Sequence, residues 1–241
     1  MTQRVAVITG ANRGLGLHLV TQFQQRGYTV VAACRRPAEA EALAALAPLA
    51  VLTLDTGDQA SIQKFGAEVA ELVDRIEVLV NNAGVMMPSA RPVDAHPDDN
   101  ERANGPLGRL DGEAMLDVLR INSVGPVLTT QALAPLLGNG SVVLNMSSRL
   151  GSIASASADE YAYAMSKTAL NMATTVMARE LAEAGVVVFA ASPGWVRTDM
   201  GGGAATLEPD ESTGALADLV GRVGIEHSGT FVGHTGEPIP W

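Results

Sequence analysis

The chain has 241 residues, 47% hydrophobic and 17% charged, an ordinary globular composition with enough length to bury the core of one large α/β domain. Its formal net charge of −10 argues against a nucleic-acid partner, because a general binder needs a basic face to neutralise phosphates. Cys34 is the one cysteine, so no intrachain disulfide can form, and no apolar run reaches membrane-spanning length; the expectation is a cytoplasmic protein with small-molecule partners and no membrane partner.

The opening residues read as the first strand, at 5–9, and not as a secretory leader, since no long apolar stretch with a cleavage site precedes them. Residues 15–26 carry helical periodicity and stop at Gly27, a residue suited to a helix C-terminus. A second strand at 28–33, a short Ala/Glu-rich helix at 38–46, a third strand at 50–54, a helix at 58–73 and a fourth strand at 76–80 follow. Residues 113–137 predict a long helix that Gly125-Pro126 should bend or locally break. The remaining elements are strands at 141–146, 186–191 and 229–232, and helices at 161–184 and 210–223.

Strands that are apolar throughout, alternating with helices, imply a parallel sheet covered on both faces, with ligands bound beyond the C-terminal strand ends. No repeat or linker divides the chain, so residues 1–241 read as a single domain. Two segments break the regular beat. Residues 86–112 are rich in Pro, Asp and Arg, and residues 192–209 contain Gly201-Gly202-Gly203 and look mobile; each reads as a substrate lid or as a solvated loop.

Thr9-Gly10-Ala11-Asn12-Arg13-Gly14-Leu15-Gly16 joins the first strand to the first helix. Glycines there permit a tight turn and let a pyrophosphate approach the backbone, and the helix end offers free N–H groups and a positive dipole. At the end of the second strand, where an acid would bind the ribose of NAD, stand Cys34-Arg35-Arg36-Pro37. Guanidinium matches phosphate bidentately, so Arg35, with Arg13 in the glycine turn, favours NADP(H).

Tyr163 and Lys167 are four residues apart, which puts them one turn apart on one helix face. A nearby ammonium favours phenolate, so Lys167 is expected to lower the tyrosine pKa and make Tyr163 a proton donor and acceptor. Lysine is rare here, with only Lys64 and Lys167 beside fourteen arginines, which suggests a task that needs a compact charge. The four histidines lack metal-ligand spacing, so no metal is expected. Met86, Met87, Trp195 and Met200 follow strands on the ligand-binding edge and suit an apolar substrate wall or ordinary packing.

Taken together, the glycine turn, Asn81-Asn82-Ala83-Gly84, Asn122, Ser147-Ser148-Arg149-Leu150-Gly151, Tyr163 with Lys167, and Pro193-Gly194 resemble the short-chain dehydrogenase/reductases along essentially the whole chain. Within that family the chain looks most like the C-factor-like and sniffer-like carbonyl reductases. That likeness lies in Met146 to Ile153, Pro193 to Gly202 and the terminal Gly236-Glu237-Pro238-Ile239-Pro240-Trp241. The resemblance implies a Rossmann-like doubly wound α/β fold with a seven-stranded parallel sheet flanked by helices. It implies a homodimer or homotetramer and NADP(H)-dependent reduction of a carbonyl, or oxidation of the alcohol. A signalling or dinucleotide-sensing protein and an enzyme reducing a C=C bond are the alternatives.

It also implies roles by position. Ser148 would hold the substrate oxygen, Tyr163 would exchange its proton, Lys167 would bind the nicotinamide ribose, and Asn122 would hold a water in a proton relay. Gly10, Asn12, Arg13, Gly14, Leu15, Gly16 and Arg35 would take the phosphates, Asp55 the adenine with Thr56 beside it, and Asn82, Ala83 and Gly84 the cleft wall. Pro193, Gly194, Val196 and Thr198 would embrace the nicotinamide end. Two departures stand out: Ser148 precedes Tyr163 by fifteen residues, slightly more than is common in the family, and residues 86–112 have an unusual composition. Ser148 is chosen over Ser147 by motif position alone.

Overall fold

A computed structural model describes residues 4–87, 99–157 and 160–241. Seven strands, β1 (Arg4–Thr9), β2 (Tyr28–Cys34), β3 (Ala50–Thr53), β4 (Val78–Asn81), β5 (Val142–Met146), β6 (Val187–Ser192) and β7 (Phe231–Gly233), form one sheet in the order β3-β2-β1-β4-β5-β6-β7. All six pairings are parallel. The chain winds outward from β1 to β3, then returns to place β4 on the other side of β1. The crevice beyond the β1 and β4 ends is therefore the switch point where doubly wound sheets bind ligands.

Successive strand residues point to opposite faces, and both faces are apolar. Ala6 and Ile8 of β1 face α1 (Gly14–Gln25) and α8 (Pro209–Val220), packing with Leu19, Phe23 and Leu216. Val5 and Val7 face α3 (Gln59–Leu72), α6 (Gly125–Leu133) and α7 (Tyr161–Glu180), packing with Phe65, Leu133 and Met177. Phe23 and Phe65 are fully buried, and each contributes about 1.5–3 kcal/mol relative to exposure. Among the described residues no helix is long and apolar enough to cross a membrane.

Three segments depart from expectation. The short helix expected at 38–46 is a 3₁₀ turn (Pro37–Glu39) followed by α2 (Glu41–Ala45). The long helix expected at 113–137 is α5 (Gly112–Leu119), a π turn (Arg120–Val124), α6, and a closing 3₁₀ turn. Pro126 has no N–H to give the Asn122 carbonyl, and Gly125 N–H reaches back five residues to the Arg120 carbonyl. The winding widens just ahead of the proline and the axis continues. In the segment 86–112, residues 88–98 lie outside the described part, but α4 (Asp99–Asn104) is a helix where none was expected.

The segment 192–209 is tied down, against the expectation of mobility. Val196 pairs with Leu207, Arg197 Nε donates to the Ala205 carbonyl at 2.8 Å, and Trp195 Nε1 donates to the Gly201 carbonyl at 2.8 Å. The glycines serve close approach there: a Cβ on Gly201 would lie 2.0 Å from the Val196 oxygen.

Candidate active site

The turn after β1 needs its glycines. Gly10 and Gly14 adopt φ of 64° and 52°, and a Cβ on Gly16 would lie 2.1 Å from the Gly10 oxygen. No side chain caps the α1 N-terminus, whose N–H groups line the cleft. The neighbouring strand end locks the turn. Thr9 Oγ1 accepts from Asn82 N and Ala83 N, each at 3.0 Å, while Asn82 Nδ2 donates to the Thr9 carbonyl at 2.8 Å.

One continuous cleft runs across the strand ends. Gly10, Asn12, Arg13, Gly14, Leu15 and Gly16 line it from β1, Arg35 from β2, and Asp55 and Thr56 from β3. Asn82, Ala83 and Gly84 line it from β4, Tyr163 and Lys167 from α7, and Pro193 and Thr198 from β6. Asn122, Ser148, Gly194 and Val196 stand back from the wall; Val196 is buried in its own loop against Leu207. Cys34, Leu54, Val85, Ile121, Met146, Ser147, Asp199 and Met200 also line the cleft without having been expected there as cofactor contacts. Of the expected apolar wall, Met87, Trp195 and Met200 are half exposed, and Met200 reaches the cleft.

The charged groups at the β1 and β2 ends differ. Arg13 pairs with Asp199 at 3.0 Å across the mouth, both well exposed. Arg36 pairs with Glu39. The Arg35 side chain makes no hydrogen bond or ion pair among the described residues. Asp55 Oδ1 accepts from Gly57 N at 2.9 Å, which rigidifies the loop after β3.

At the other end, α7 presents Tyr163 and Lys167 on its inner face, 8% and 5% exposed. Asn104 holds the start of α7: its Oδ1 accepts from Tyr163 N at 3.0 Å and its carbonyl accepts from Glu160 N at 3.1 Å. Lys167 Nζ donates to the Met146 carbonyl at 2.8 Å and lies 5.5 Å from the Tyr163 ring centroid. Ser148 Oγ accepts from Leu150 N at 3.2 Å and lies near enough to the Tyr163 phenol to favour its ionised form. Ser147 instead donates to Asn171 Oδ1 at 2.6 Å and is buried. The two hydroxyls therefore differ in partner: Asn171 holds Ser147, which lines the cleft, while Ser148 lies near the phenol.

Burial pushes the Tyr163 phenol up to about 12; the nearby Ser148 hydroxyl opposes this and the Glu160 charge adds to it. The expected lowering by Lys167 is absent because desolvation is the largest effect on both groups, pulling Lys167 down to about 8 and weakening its hold on a proton.

The side chain of Asn122 is hydrogen-bonded through both its amide atoms. Nδ2 donates to the Val85 carbonyl at 2.7 Å and to Ser166 Oγ at 3.0 Å, and Oδ1 accepts from Val85 N at 2.8 Å. It staples the β4 exit to α7. Two positioning residues escaped the sequence reading. Asn171, four beyond Lys167, also donates to the Gly151 carbonyl at 3.1 Å; its place on the Tyr163–Lys167 face was the available signal. Asn104 lies in a segment whose pattern carried none.

A seven-stranded doubly wound sheet, a glycine turn at its switch point and a buried Tyr–Lys pair define a dinucleotide-dependent oxidoreductase. The model of the short chain dehydrogenase family matches residues 4–208, and the chain belongs to that family. The C-signal of Myxococcus xanthus is 37% identical over 169 residues, covering 69% of this chain and 93% of that protein. Carbonyl reductase Sniffer of D. melanogaster superposes with a TM-score of 0.87 at 30% identity, covering 100% of both chains. The NADPH-bound carbonyl reductase from chicken fatty liver gives a TM-score of 0.85 at 30% identity, again over 100% of both chains.

Proposed function

We propose that this protein is an NADP(H)-dependent reductase of a small carbonyl compound, or the dehydrogenase of the corresponding alcohol. The observation that carries the reading is the buried Tyr163–Lys167 pair on the wall of the cleft that begins at the glycine turn, with Ser148 close to the phenol. Arg35, without an acidic partner among the described residues at the β2 end, supports the phosphorylated cofactor, as does the NADPH in the chicken structure.

The residues fit such a cofactor: Gly10 to Gly16 for the pyrophosphate, Arg35 and Arg13 for the extra phosphate, Asp55 and Thr56 for the adenine end, and Lys167 for the nicotinamide ribose. NADPH, when bound, supplies the hydride. Ser148 and Tyr163 hold and polarise the carbonyl oxygen, and Tyr163 delivers its proton to that oxygen as the alcohol forms. The high pKa of Tyr163 keeps it protonated for that task. Lys167 provides positive charge beneath the phenol, and with its side chain engaged, Asn122 offers a proton relay only its main chain.

The protein acts as a homo-oligomer, a dimer or tetramer; support comes from Met165, Met172 and Val176, exposed along one face of α7. A second reading, a dinucleotide-sensing signalling protein with little turnover, draws on the likeness to C-signal. The deciding experiment is a fluorescence titration with NADPH and NADH on wild type and Arg35→Ala, followed by turnover of a ketone panel with wild type and Tyr163→Phe. NADPH binding that weakens about tenfold to a hundredfold in Arg35→Ala, with turnover lost in Tyr163→Phe, is the expected result. Binding without turnover favours the sensor; no nucleotide binding overturns both readings.

A further inference from the structure

Beyond β7 the chain doubles back on itself. Gly233 N donates to the Glu237 carbonyl at 2.8 Å and Ile239 N donates to the Phe231 carbonyl at 2.9 Å, so residues 237–239 run antiparallel along the sheet edge. Ile239 is 5% exposed and packs with Ala190 and Phe231, which anchors this return in the core.

The last residues then meet the segment that follows Ser148. Ser152 Oγ donates to the Pro240 carbonyl at 2.6 Å, Ala154 N donates to the Trp241 main-chain oxygen at 3.0 Å, and Arg149 donates to Glu237 Oε1 at 2.7 Å. The Trp241 indole stacks on Phe231, with centroids 5.7 Å apart and ring planes at 27°.

That segment is held unevenly: the Gly151 carbonyl accepts from Thr168 Oγ1 at 3.0 Å and Arg149 N donates to Ser192 Oγ at 3.2 Å, but the turn after Gly151 has no such tie to α7 or β6 among the described residues. The segment is two single 3₁₀ turns, Arg149–Gly151 and Ile153–Ser155, and Ile153 is 71% exposed. Short 3₁₀ turns have poor hydrogen-bond geometry and no cooperative stability of their own. From the inside, Asn171 holds Ser147 and Gly151, on either side of Ser148. From the outside, the C-terminal return grips Ser152 and the second turn. An exposed ion pair such as Arg149–Glu237 is worth little, so the main-chain oxygens and the Trp241–Phe231 stack carry this grip.

We propose that the C-terminal return, residues 237–241, is the positioning element for Ser148, with Trp241 its anchor, an inference that rests on reading Ser148 as the group that holds the substrate oxygen. Hydrogen-bonding groups at a reacting centre lose effect when displaced by a fraction of an ångström, so loosening this grip lowers turnover without touching the distant phosphate end of the cleft.

The test uses the full chain and three variants, Trp241→Ala, Trp241→Phe and Ser152→Ala, with NADPH and the diketone benzil as probes. Amide exchange in 149–155 is expected to rise about tenfold in Trp241→Ala and less in Ser152→Ala, with the glycine turn unchanged. The kcat for benzil falls about tenfold in Trp241→Ala at unaltered NADPH affinity, and Trp241→Phe, which keeps a stack, recovers most of it. Unchanged exchange in 149–155 overturns the proposal. So does a rise spread over the whole sheet, or NADPH affinity that falls together with kcat. If wild type turns over no carbonyl probe, carbonyl reduction fails, and the exchange measurement alone decides whether the return holds the segment.

Discussion

Tyr163 and Lys167 are both almost out of water, and burial drives their pKa values apart, the phenol up to about 12 and the ammonium down to about 8. A tyrosine held neutral suits proton donation to a forming alcoholate. Replacing it with phenylalanine is expected to lower kcat by about 10²–10⁴, measured by NADPH consumption. Ser148→Ala is expected to cost about 10²–10³ in kcat, whereas Ser147→Ala costs stability and leaves most turnover intact. Lys167 loses its charge as pH rises through about 8, so the reduction rate declines above that point. Lys167→Arg, whose charge persists, should abolish this alkaline limb at a lower maximal rate; a limb that stays in place assigns it to another group. Tyr163 and Lys167 were legible in the sequence because their spacing is local. Their pKa values were not, because desolvation depends on everything packed around them.

At the scale of the element, the π turn and the loop after β6 shape the cleft. The π turn brings Asn122 against Val85 and Ser166. Pro126→Ala restores the missing N–H and allows ordinary helical winding, so the bonds from Asn122 to Val85 should weaken, read as faster amide exchange at Val85. The loop after β6 places Asp199 against Arg13. An exposed pair of this kind is worth about 0–1 kcal/mol, so Asp199→Asn should tighten NADPH by up to about fivefold and leave NADH unchanged, measured by titration. Gly125-Pro126 announced a disturbance in the helix, but nothing local told that it would be a widened turn rather than a break. The glycine run at 201–203 looked mobile, since its tight contacts with Val196 and Trp195 appear only when the loop closes on itself.

For the whole molecule, the two buried ionisable groups make stability depend on pH with opposite signs. Lys167 has a depressed value, so its contribution is complete above the ordinary lysine range and is lost as pH falls through about 8. Tyr163 has a raised value, so its contribution is complete below the ordinary tyrosine range and is lost as pH rises through about 12. Urea unfolding should therefore show a gain in stability on going alkaline from about 8, and Lys167→Met should flatten it. Assembly is a separate test: Met172, 67% exposed on α7, should drive dissociation when changed to Glu, read by light scattering.

The sequence by itself determined the parallel sheet, because strands buried on both faces must be apolar throughout, and the tight turn after β1, because glycine spacing is a property of contiguous residues. It also determined the Tyr163–Lys167 pair, which one helical turn brings together. Tertiary structure decided what depends on partners distant in the chain. It gave the Ser147 hydroxyl to Asn171, twenty-four residues on. It engaged the Asn122 amide with Val85, set Asp199 across the cleft from Arg13, and laid the return from β7 against the turns beside Ser148. Those contacts join residues tens of positions apart, and only the packed fold brings them within hydrogen-bonding distance.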